Sequence, residues 1–356
     1  MAQPHSSSRA ALRDGIHAVG RRWWLVVIVI VAFTATSFLL ADRKTPVSSP
    51  KPVRSAAIGL GVGLLAGITL ACVVGLFDTR VRTRARAGEI LGLPVVGHVP
   101  HLPRGLPRDG TLVALMEPEG SAAEALRVLR GNLDWTRSDA GWKSLLVTSS
   151  RKGEGKTLTA CNLAVTLALS GRKVVVVDAD LRDPQVHRVF SMPNETGLTT
   201  VVQGTLALAA ALRRFDLQRP NGPGAGAAAG ARLVPSASER GALLVLTSGP
   251  LPPNPADVIA SQRLAITLAR LANSAADYVL VDAPPILDVD DVEALAPAVD
   301  ALLFVAHLDK TRRPTLEKGR KALRALSCRK IGVVIVGEPR GASDSQRYGS
   351  SLREND

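Results

Sequence analysis

The sequence predicts an α/β fold in which a parallel sheet carries helices on both faces. Apolar runs of strand length alternate along the chain with segments of helical periodicity, which is the pattern of such folds. One run holds four consecutive valines, Val174–Val177, and is typical of a strand buried on both faces. The expected strands lie at 144–148, 173–178, 243–247, 278–282, 301–306 and 330–336, and the expected helices at 120–135, 157–170, 256–275 and 314–327.

A glycine-containing loop follows the first of these strands. It runs from Ser149 to Thr157 with the sequence SSRKGEGKT. Such a loop turns backbone N–H groups toward phosphate, and the helix behind it adds the positive end of its dipole. The sequence therefore predicts a P-loop NTPase-type fold, with Ser150 where the motif has its first glycine. The expected nucleotide-binding residues are Ser150, Lys152, Gly153, Glu154, Gly155, Lys156, Thr157 and Leu158.

Two acidic segments end two other predicted strands. Asp178 and Asp180 follow the valine run, and Asp282 ends the strand YVLVD. Ligands of open α/β sheets bind at the carboxyl ends of the strands, so these carboxylates are expected beside the P-loop. Lys156 is expected to reach the β- and γ-phosphates of ATP, and Mg²⁺ is expected on Thr157, Asp180 and Asp282. Each motif alone also suits a surface turn, whereas the three together favour a nucleotide site.

The three motifs resemble the Walker A, Walker A′ and Walker B motifs of bacterial tyrosine kinases, which act in capsule and exopolysaccharide synthesis. The segment from Glu124 to Arg130, EALRVLR, is similar to the family's E-x-x-R-x-x-R motif. Residues 246–261 resemble its G-P-x-P-P-N-P segment, and residues 91–100 resemble the start of its kinase domain. Partition and septum-site ATPases share the three motifs, but the proline-rich segment and two apolar N-terminal segments favour the kinase branch.

The resemblance implies an ATP- and Mg²⁺-dependent protein-tyrosine autokinase. Lys156, Asp178 and Asp180 would be catalytic, and one of the two aspartates would accept the proton of the tyrosine hydroxyl; the sequence does not divide their roles. Relatives phosphorylate tyrosines in the C-terminal tail of a neighbouring subunit. The tail here holds Tyr348, the expected phosphoacceptor, whereas Tyr278 begins a strand and is expected to be structural.

The resemblance also implies partners. Glu124, Arg127 and Arg130 would form the subunit contact of a ring-like homo-oligomer. Other membrane proteins of polysaccharide assembly and a tyrosine phosphatase are expected to act on or with the chain. A solvated helix face is the simpler interpretation of the three charges.

The segments 23–41 and 56–77 carry no charge. Each is long enough to cross a hydrocarbon core of about 30 Å as a helix, so the sequence predicts a transmembrane hairpin of a multi-pass cell-membrane protein. The nucleotide domain is expected in the cytoplasm, where ATP is. The expected organisation is a cytoplasmic segment 1–22, the spans 23–41 and 56–77 around an extracytoplasmic loop 42–55, a basic, Pro-rich linker 78–115, a kinase-like domain 116–337 and a disordered tail 338–356.

The composition limits the remaining classes of function. The net charge of +13 suits attraction to anionic lipid, and with 3% aromatic residues and no recognised motif, nucleic acid is not an expected partner. The three cysteines lack the spacing of a metal or redox site. Two alternatives stay open: a P-loop ATPase that transfers phosphate to water, and a non-catalytic co-polymerase subunit that controls polysaccharide export or chain length by assembly.

Overall fold

The structure is a computed structural model that describes residues 83–100, 112–217, 241–308 and 310–338, together with Gly61, Leu64 and Val81. The chain divides into two units, residues 1–79 and 80–356, and the strands and helices named below belong to the second. No helix in this described part combines the length and apolar character needed to cross a membrane. The predicted spans and Tyr348 lie outside the described residues, apart from Gly61 and Leu64, which are helical.

Eight strands form one sheet in the order β1-β8-β7-β2-β6-β3-β5-β4. They are β1 (Val95–Pro100), β2 (Ser144–Ser149), β3 (Lys173–Asp178), β4 (Arg213–Phe215), β5 (Ala242–Leu246), β6 (Tyr278–Asp282), β7 (Ala301–His307) and β8 (Arg329–Glu338). Neighbouring strands are parallel except β4, which is antiparallel to β5. The carboxyl ends of all the parallel strands therefore share one edge of the sheet.

Helices cover both faces of the sheet. They are α1 (Arg84–Leu91), α2 (Val113–Met116), α3 (Ser121–Ala140), α4 (Lys156–Leu169), α5 (Val186–Val189), α6 (Leu198–Gln203), α7 (Leu208–Ala211), α8 (Pro255–Ile259), α9 (Gln262–Ala272), α10 (Asp291–Leu295) and α11 (Arg313–Ala325). Successive valines of β3 point to opposite faces: Val175 packs in the core under α9 and α11, and Val176 in the core under α3 and α4. This arrangement confirms the predicted α/β fold with helices on both faces.

The predicted strands are all present, and the helix predicted at 256–275 is wrong as a single element. It is divided into α8 and α9, because Ser261 begins a new helix: its side chain caps α9 by accepting a hydrogen bond from the Leu264 N–H. The helix predicted at 120–135 extends to Ala140 and ends at Gly141, which has a left-handed conformation with φ of 67°.

The linker predicted at 78–115 is wrong for residues 84–100. Those residues form α1 and β1, and β1 extends the sheet by pairing with β8. Gly97 allows close contact with α3, since a Cβ atom there would lie 2.9 Å from Leu129 Cδ1. The Asn132 side chain also donates a hydrogen bond to the Val96 carbonyl over 2.8 Å. The edge strand is therefore part of the folded domain.

Candidate functional site

The loop between β2 and α4 has the conformation that its sequence requires. Gly153 and Gly155 adopt φ values of 82° and 93°, in the left-handed region that favours glycine. Among the described residues, Ser191 alone of the non-glycines has a positive φ, so the Ser150 backbone does not need a glycine. The side chain of Ser150 faces α11, where a Cβ atom on Gly319 would lie 3.4 Å from its Oγ.

Lys156 begins α4 and points its ammonium group at carboxylates from two neighbouring strands. Its Nζ lies 2.8 Å from Asp180 Oδ2, 3.6 Å from Asp282 Oδ2 and 3.1 Å from Thr157 Oγ1. Burial lowers the pKa of Lys156, but the charges of Asp282 and Asp180 outweigh it and hold that pKa above its ordinary value. A charged lysine thus stands at the centre of the site.

Asp282 is fully buried at the end of β6. Its Oδ2 accepts a hydrogen bond from Thr157 Oγ1 over 2.6 Å, whereas its Oδ1 has no hydrogen-bond partner among the described residues. Burial raises the pKa of Asp282 to about 6, against the lowering effect of Lys156 and of the Thr157 hydrogen bond. This buried oxygen therefore receives no hydrogen bond from the described residues, and its charge would be offset by a cation bound there.

The two aspartates of the β3 end have different surroundings. Asp178 is completely buried, and its oxygens accept hydrogen bonds from the backbone N–H groups of Asp180 and Val186 over 3.3 and 3.0 Å. Burial and the nearby Asp282 raise its pKa well above the ordinary value. Asp178 therefore holds the turn after β3 in place, while Asp180 extends from that turn to Lys156.

The oxygen set fits Mg²⁺. Thr157 and Asp282 offer hard oxygen donors, one of which is the unpartnered Oδ1. Within the described ranges, no group of three or more His, Cys, Asp and Glu side chains is arranged to hold a metal by itself. Mg²⁺ in phosphoryl-transfer sites commonly takes one or two carboxylates together with phosphate oxygens and water, which agrees with this arrangement.

Ion pairs surround the mouth of the site. Arg151 Nη1 lies 3.1 Å from Asp288 Oδ1, and Lys152 Nζ lies 2.6 Å from Asp183 Oδ2. The hydrogen bond from Lys152 lowers the pKa of Asp183. The Lys152 side chain is therefore engaged with the loop after β3, and its backbone N–H donates to Asp288 over 3.2 Å.

Several contacts of this site were not predicted from the sequence motifs. Arg182 forms a two-point ion pair with Asp291 of α10, over 2.8 and 3.0 Å. The carboxylate of Glu154, a residue expected to bind nucleotide, contacts Ser150 and Thr311. Thr311 follows β7 at the same sheet edge, and position after a parallel strand is the signal that would have found it. Leu158 is half-buried and packs against the apolar core beneath α4.

The structure separates the other predicted residues from this site. Glu124 and Arg127 form an ion pair on α3, and Arg127 also donates to the Pro118 carbonyl. Arg130 lies one turn further along the same helix and, with Arg127, lines a cavity of about 350 Å³ beside α4. These residues occupy the surface of the helix, as a contact between subunits requires.

Tyr278 is a structural residue, as expected. Its side chain is completely buried, and its hydroxyl donates a hydrogen bond to Asp134. Trp142 packs edge-on with ring centroids 5.6 Å apart, and the Arg137 guanidinium lies 4.6 Å from the centre of the Tyr278 ring. Burial raises the pKa of this tyrosine. The buried hydroxyl, bonded to Asp134, is not presented to solvent or to another subunit's site.

Comparison with known proteins agrees with the geometry. Residues 145–335 match the family model described as the CobQ/CobB/MinD/ParA nucleotide binding domain. The tyrosine-protein kinase YwqD of Bacillus subtilis is 34% identical over 66% of this chain and 89% of its own length. The putative tyrosine-protein kinase CapB of Staphylococcus aureus is 28% identical over 65% of this chain and 91% of its own length.

A solved structure shares the same architecture. The kinase domain of the Escherichia coli tyrosine kinase ETK superposes with a TM-score of 0.61 at 26% identity, over 75% of this chain and 99% of that domain. By this fold, by its nucleotide-binding motifs and by its similarity to YwqD, the chain belongs to the family of bacterial tyrosine-protein kinases.

Proposed function

We propose that this protein-tyrosine kinase is anchored in the cell membrane and transfers the γ-phosphoryl group of ATP to Tyr348 of a neighbouring subunit. Its proposed role is the regulation of capsular or exopolysaccharide synthesis. The observation that carries the reaction is the grouping of Lys156, Thr157, Asp180 and Asp282 behind the P-loop. An ammonium group, a hydroxyl and carboxylates at a helix N-terminus are the parts that phosphoryl transfer needs.

Lys156 and the loop amides are the proposed phosphate ligands. In the structure the ammonium group lies against the carboxylates of Asp180 and Asp282, which offset its charge. Binding of ATP would transfer the lysine from these carboxylates to the β- and γ-phosphates, where it offsets the negative charge that develops during transfer. Thr157 and Asp282 are the proposed Mg²⁺ ligands, with Asp180 beside them. When bound, Mg²⁺ supplies further neutralisation of phosphate charge.

Asp180 is the proposed proton acceptor. In the reaction, the tyrosine oxygen forms a bond to the γ-phosphorus, the bond from that phosphorus to the β–γ bridging oxygen breaks, and ADP leaves. The hydroxyl proton passes to a carboxylate. Asp180 suits this role better than Asp178, because backbone N–H groups hold both oxygens of Asp178. In Asp180 they hold only Oδ1, which accepts from Arg182 and Asp183, whereas Oδ2 faces the Lys156 ammonium group.

The proposed organisation places the segments 23–41 and 56–77 in the membrane and the kinase domain in the cytoplasm. The uncharged length of both segments supports this proposal. Self-association through Glu124, Arg127 and Arg130 would bring the tail of one subunit to the site of the next. Membrane proteins of polysaccharide assembly and a tyrosine phosphatase are the other proposed partners. Extraction of membranes with alkaline carbonate tests the anchor, since an integral protein stays in the pellet.

The full-length protein in membranes, incubated with γ-labelled ATP and Mg²⁺, tests the reaction. Wild type should become labelled on tyrosine, and both Lys156→Met and Tyr348→Phe should remain unlabelled. Ser350→Ala is the matched control, because it removes a neighbouring tail hydroxyl and should leave the label intact. Label that persists in Tyr348→Phe would show another acceptor. Labelled phosphate released to solution, with none on protein, would show the ATPase alternative instead.

A further inference from the structure

The backbone at the tip of the P-loop is conformationally free, because two of its residues are glycines. Glu154 lies between Gly153 and Gly155, both in the left-handed region, and glycine loses more backbone freedom on folding than any other residue. A loop that must hold several N–H groups in fixed directions needs contacts that define its shape. The Glu154 side chain supplies such contacts: it turns away from solvent and is 3% exposed.

Both oxygens of the Glu154 carboxylate are occupied by hydrogen-bond donors. Oε2 accepts from the Ser150 N–H over 2.8 Å, and Oε1 accepts from Thr311 Oγ1 over 2.7 Å. The first bond closes the loop across its base, and the second ties it to a segment distant in sequence. Burying a carboxylate costs free energy unless hydrogen-bond donors are present. The two hydrogen bonds to Glu154 therefore favour the loop conformation that brings Ser150 and Thr311 to it. Burial accordingly raises the pKa of Glu154.

Thr311 stands on a rigid support. It follows β7 in a turn whose backbone is held by hydrogen bonds from the Thr311 and Lys310 N–H groups to the His307 carbonyl, over 2.8 and 3.1 Å. From the same turn, Lys310 Nζ donates to the Gly153 carbonyl over 2.7 Å. A loop that presents N–H groups to phosphate must turn carbonyl groups away from it, and Lys310 holds one of those carbonyls.

We propose that Glu154 and Thr311 are positioning residues for nucleotide binding, and that their hydrogen bond holds the P-loop in the shape that receives the phosphates. The inference rests on the proposed nucleotide site. Neither residue needs to touch the reacting atoms, because both carboxylate oxygens are engaged with groups of the protein itself. The turn after β7 is thereby a structural part of the phosphate site.

Thr311→Val tests the pair, because it preserves the shape of the side chain and removes only the hydroxyl. Binding of fluorescent ADP to the full-length protein should weaken about tenfold, since one buried carboxylate oxygen loses its donor. The KM for ATP should rise in parallel, while kcat at saturating ATP changes much less. Thr311→Ser, which restores the hydroxyl, should recover most of the affinity.

Thr315→Val is the matched control. Thr315 lies in the first turn of α11, is half-buried, and its side chain makes no hydrogen bond to any described residue. This variant should bind ADP as wild type does. Thermal unfolding of each variant without nucleotide verifies folding. Glu154→Ala, which removes both hydrogen bonds of the carboxylate, should bind ADP more weakly than Thr311→Val does. Thr311→Val, Thr311→Ser and Glu154→Gln still test the inference if Glu154→Ala fails to fold.

Glu154→Gln separates positioning from catalysis. Its amide oxygen can accept from Ser150 while its NH₂ group donates to the Thr311 hydroxyl, so it should retain more affinity than Glu154→Ala. Equal ADP affinity in Thr311→Val and wild type would overturn the inference. So would a loss of kcat in Glu154→Gln at unchanged KM, which would indicate a catalytic carboxylate. Absence of ADP binding by wild type would instead reject the nucleotide site itself.

Discussion

The Nζ atom of Lys156 lies 2.8 Å from the Oδ2 atom of Asp180. The pair is almost completely buried, with 10% and 3% of the two side chains exposed. Opposite charges at this distance attract strongly when solvent is excluded. If Lys156 binds the nucleotide phosphates as proposed, this carboxylate would compete with them for the lysine.

Asp180→Asn should separate binding from chemistry. The amide removes the negative charge that competes with phosphate, so binding of a non-hydrolysable ATP analogue should be at least as tight as in wild type. Tyrosine phosphorylation should fall by roughly 10²–10⁴-fold, the typical contribution of a general base. Titration calorimetry and labelling rates measure the two quantities. Asp139→Asn on the surface of α3 is the control, and equal labelling rates in Asp180→Asn and wild type would remove Asp180 from the mechanism.

Lys156→Met should weaken both nucleotide binding and folding. The substitution leaves Asp178, Asp180 and Asp282 without their shared cation, and removing one partner of a buried pair typically costs about 3–5 kcal/mol. Urea unfolding of the nucleotide-free protein measures this loss. The double variant Lys156→Met/Asp180→Asn should regain part of the stability. No gain in the double variant would show that the carboxylates do not depend on the lysine.

Asp282 should make the folded protein less stable as the pH rises. Its pKa is raised from 3.8 to about 6 in the folded protein. The folded state therefore holds this proton more tightly than the unfolded chain, and the contribution of Asp282 to the free energy of unfolding is lost as the pH rises through that interval. In Asp282→Asn the free energy of unfolding should decline less between pH 4 and pH 7 than in wild type. Urea unfolding without nucleotide or metal measures this difference. Parallel pH curves for wild type and variant would contradict the burial argument.

Tyr278→Phe should lower stability without changing the phosphorylated residue. The substitution keeps the ring against Trp142 and removes the hydrogen bond to Asp134, a loss of about 1–2 kcal/mol. Thermal unfolding measures it, and Tyr348→Phe is the control, expected to melt as wild type. Mass spectrometry should find phosphate on the tail in Tyr278→Phe as in wild type. A phosphate on Tyr278 of the native protein would contradict its burial.

Arg130→Ala should weaken self-association. Arg130 lines the cavity between α3 and α4, and a subunit contact there would lose a charged anchor. Analytical ultracentrifugation of the detergent-solubilised full-length protein should show a shift toward smaller species. Arg324→Ala, at an exposed position in the last turn of α11, is the matched control. An unchanged size distribution in Arg130→Ala would remove the arginine from the contact.

The central strands could be predicted because burial on both faces makes them continuously apolar, as in β3 and β6. The edge strands β1 and β4 could not be predicted in this way. β1 contains Gly97 and His98, and β4 holds two arginines, so neither shows the run of valine and leucine that marks a central strand. The break between α8 and α9 depends on one capping serine, whose effect on a helix end is local and is hidden within a longer apolar pattern.

The residues of the candidate site also divide into those that the sequence could predict and those that it could not. Lys156, Thr157, Asp180 and Asp282 could be grouped from sequence because each stands at the carboxyl end of a predicted parallel strand or at the start of the helix behind it. The roles of Glu154 and Thr311 could not, because their contact joins residues far apart in sequence and no motif contains both. The distinction between Asp178 and Asp180 also required hydrogen-bond geometry.

The parallel direction of β8 has a consequence for the tail. The chain leaves β8 at the same edge of the sheet as the P-loop, and β8 stands two places from β2 and four from β3. Neighbouring strands are about 4.8 Å apart, so these offsets are about 10 and 19 Å. The stretch from Glu338 to Tyr348 can span up to about 33 Å when extended. Tether length alone would therefore permit Tyr348 to reach the site of its own subunit. The proposed preference for a neighbouring subunit would then depend on how the subunits orient their tails.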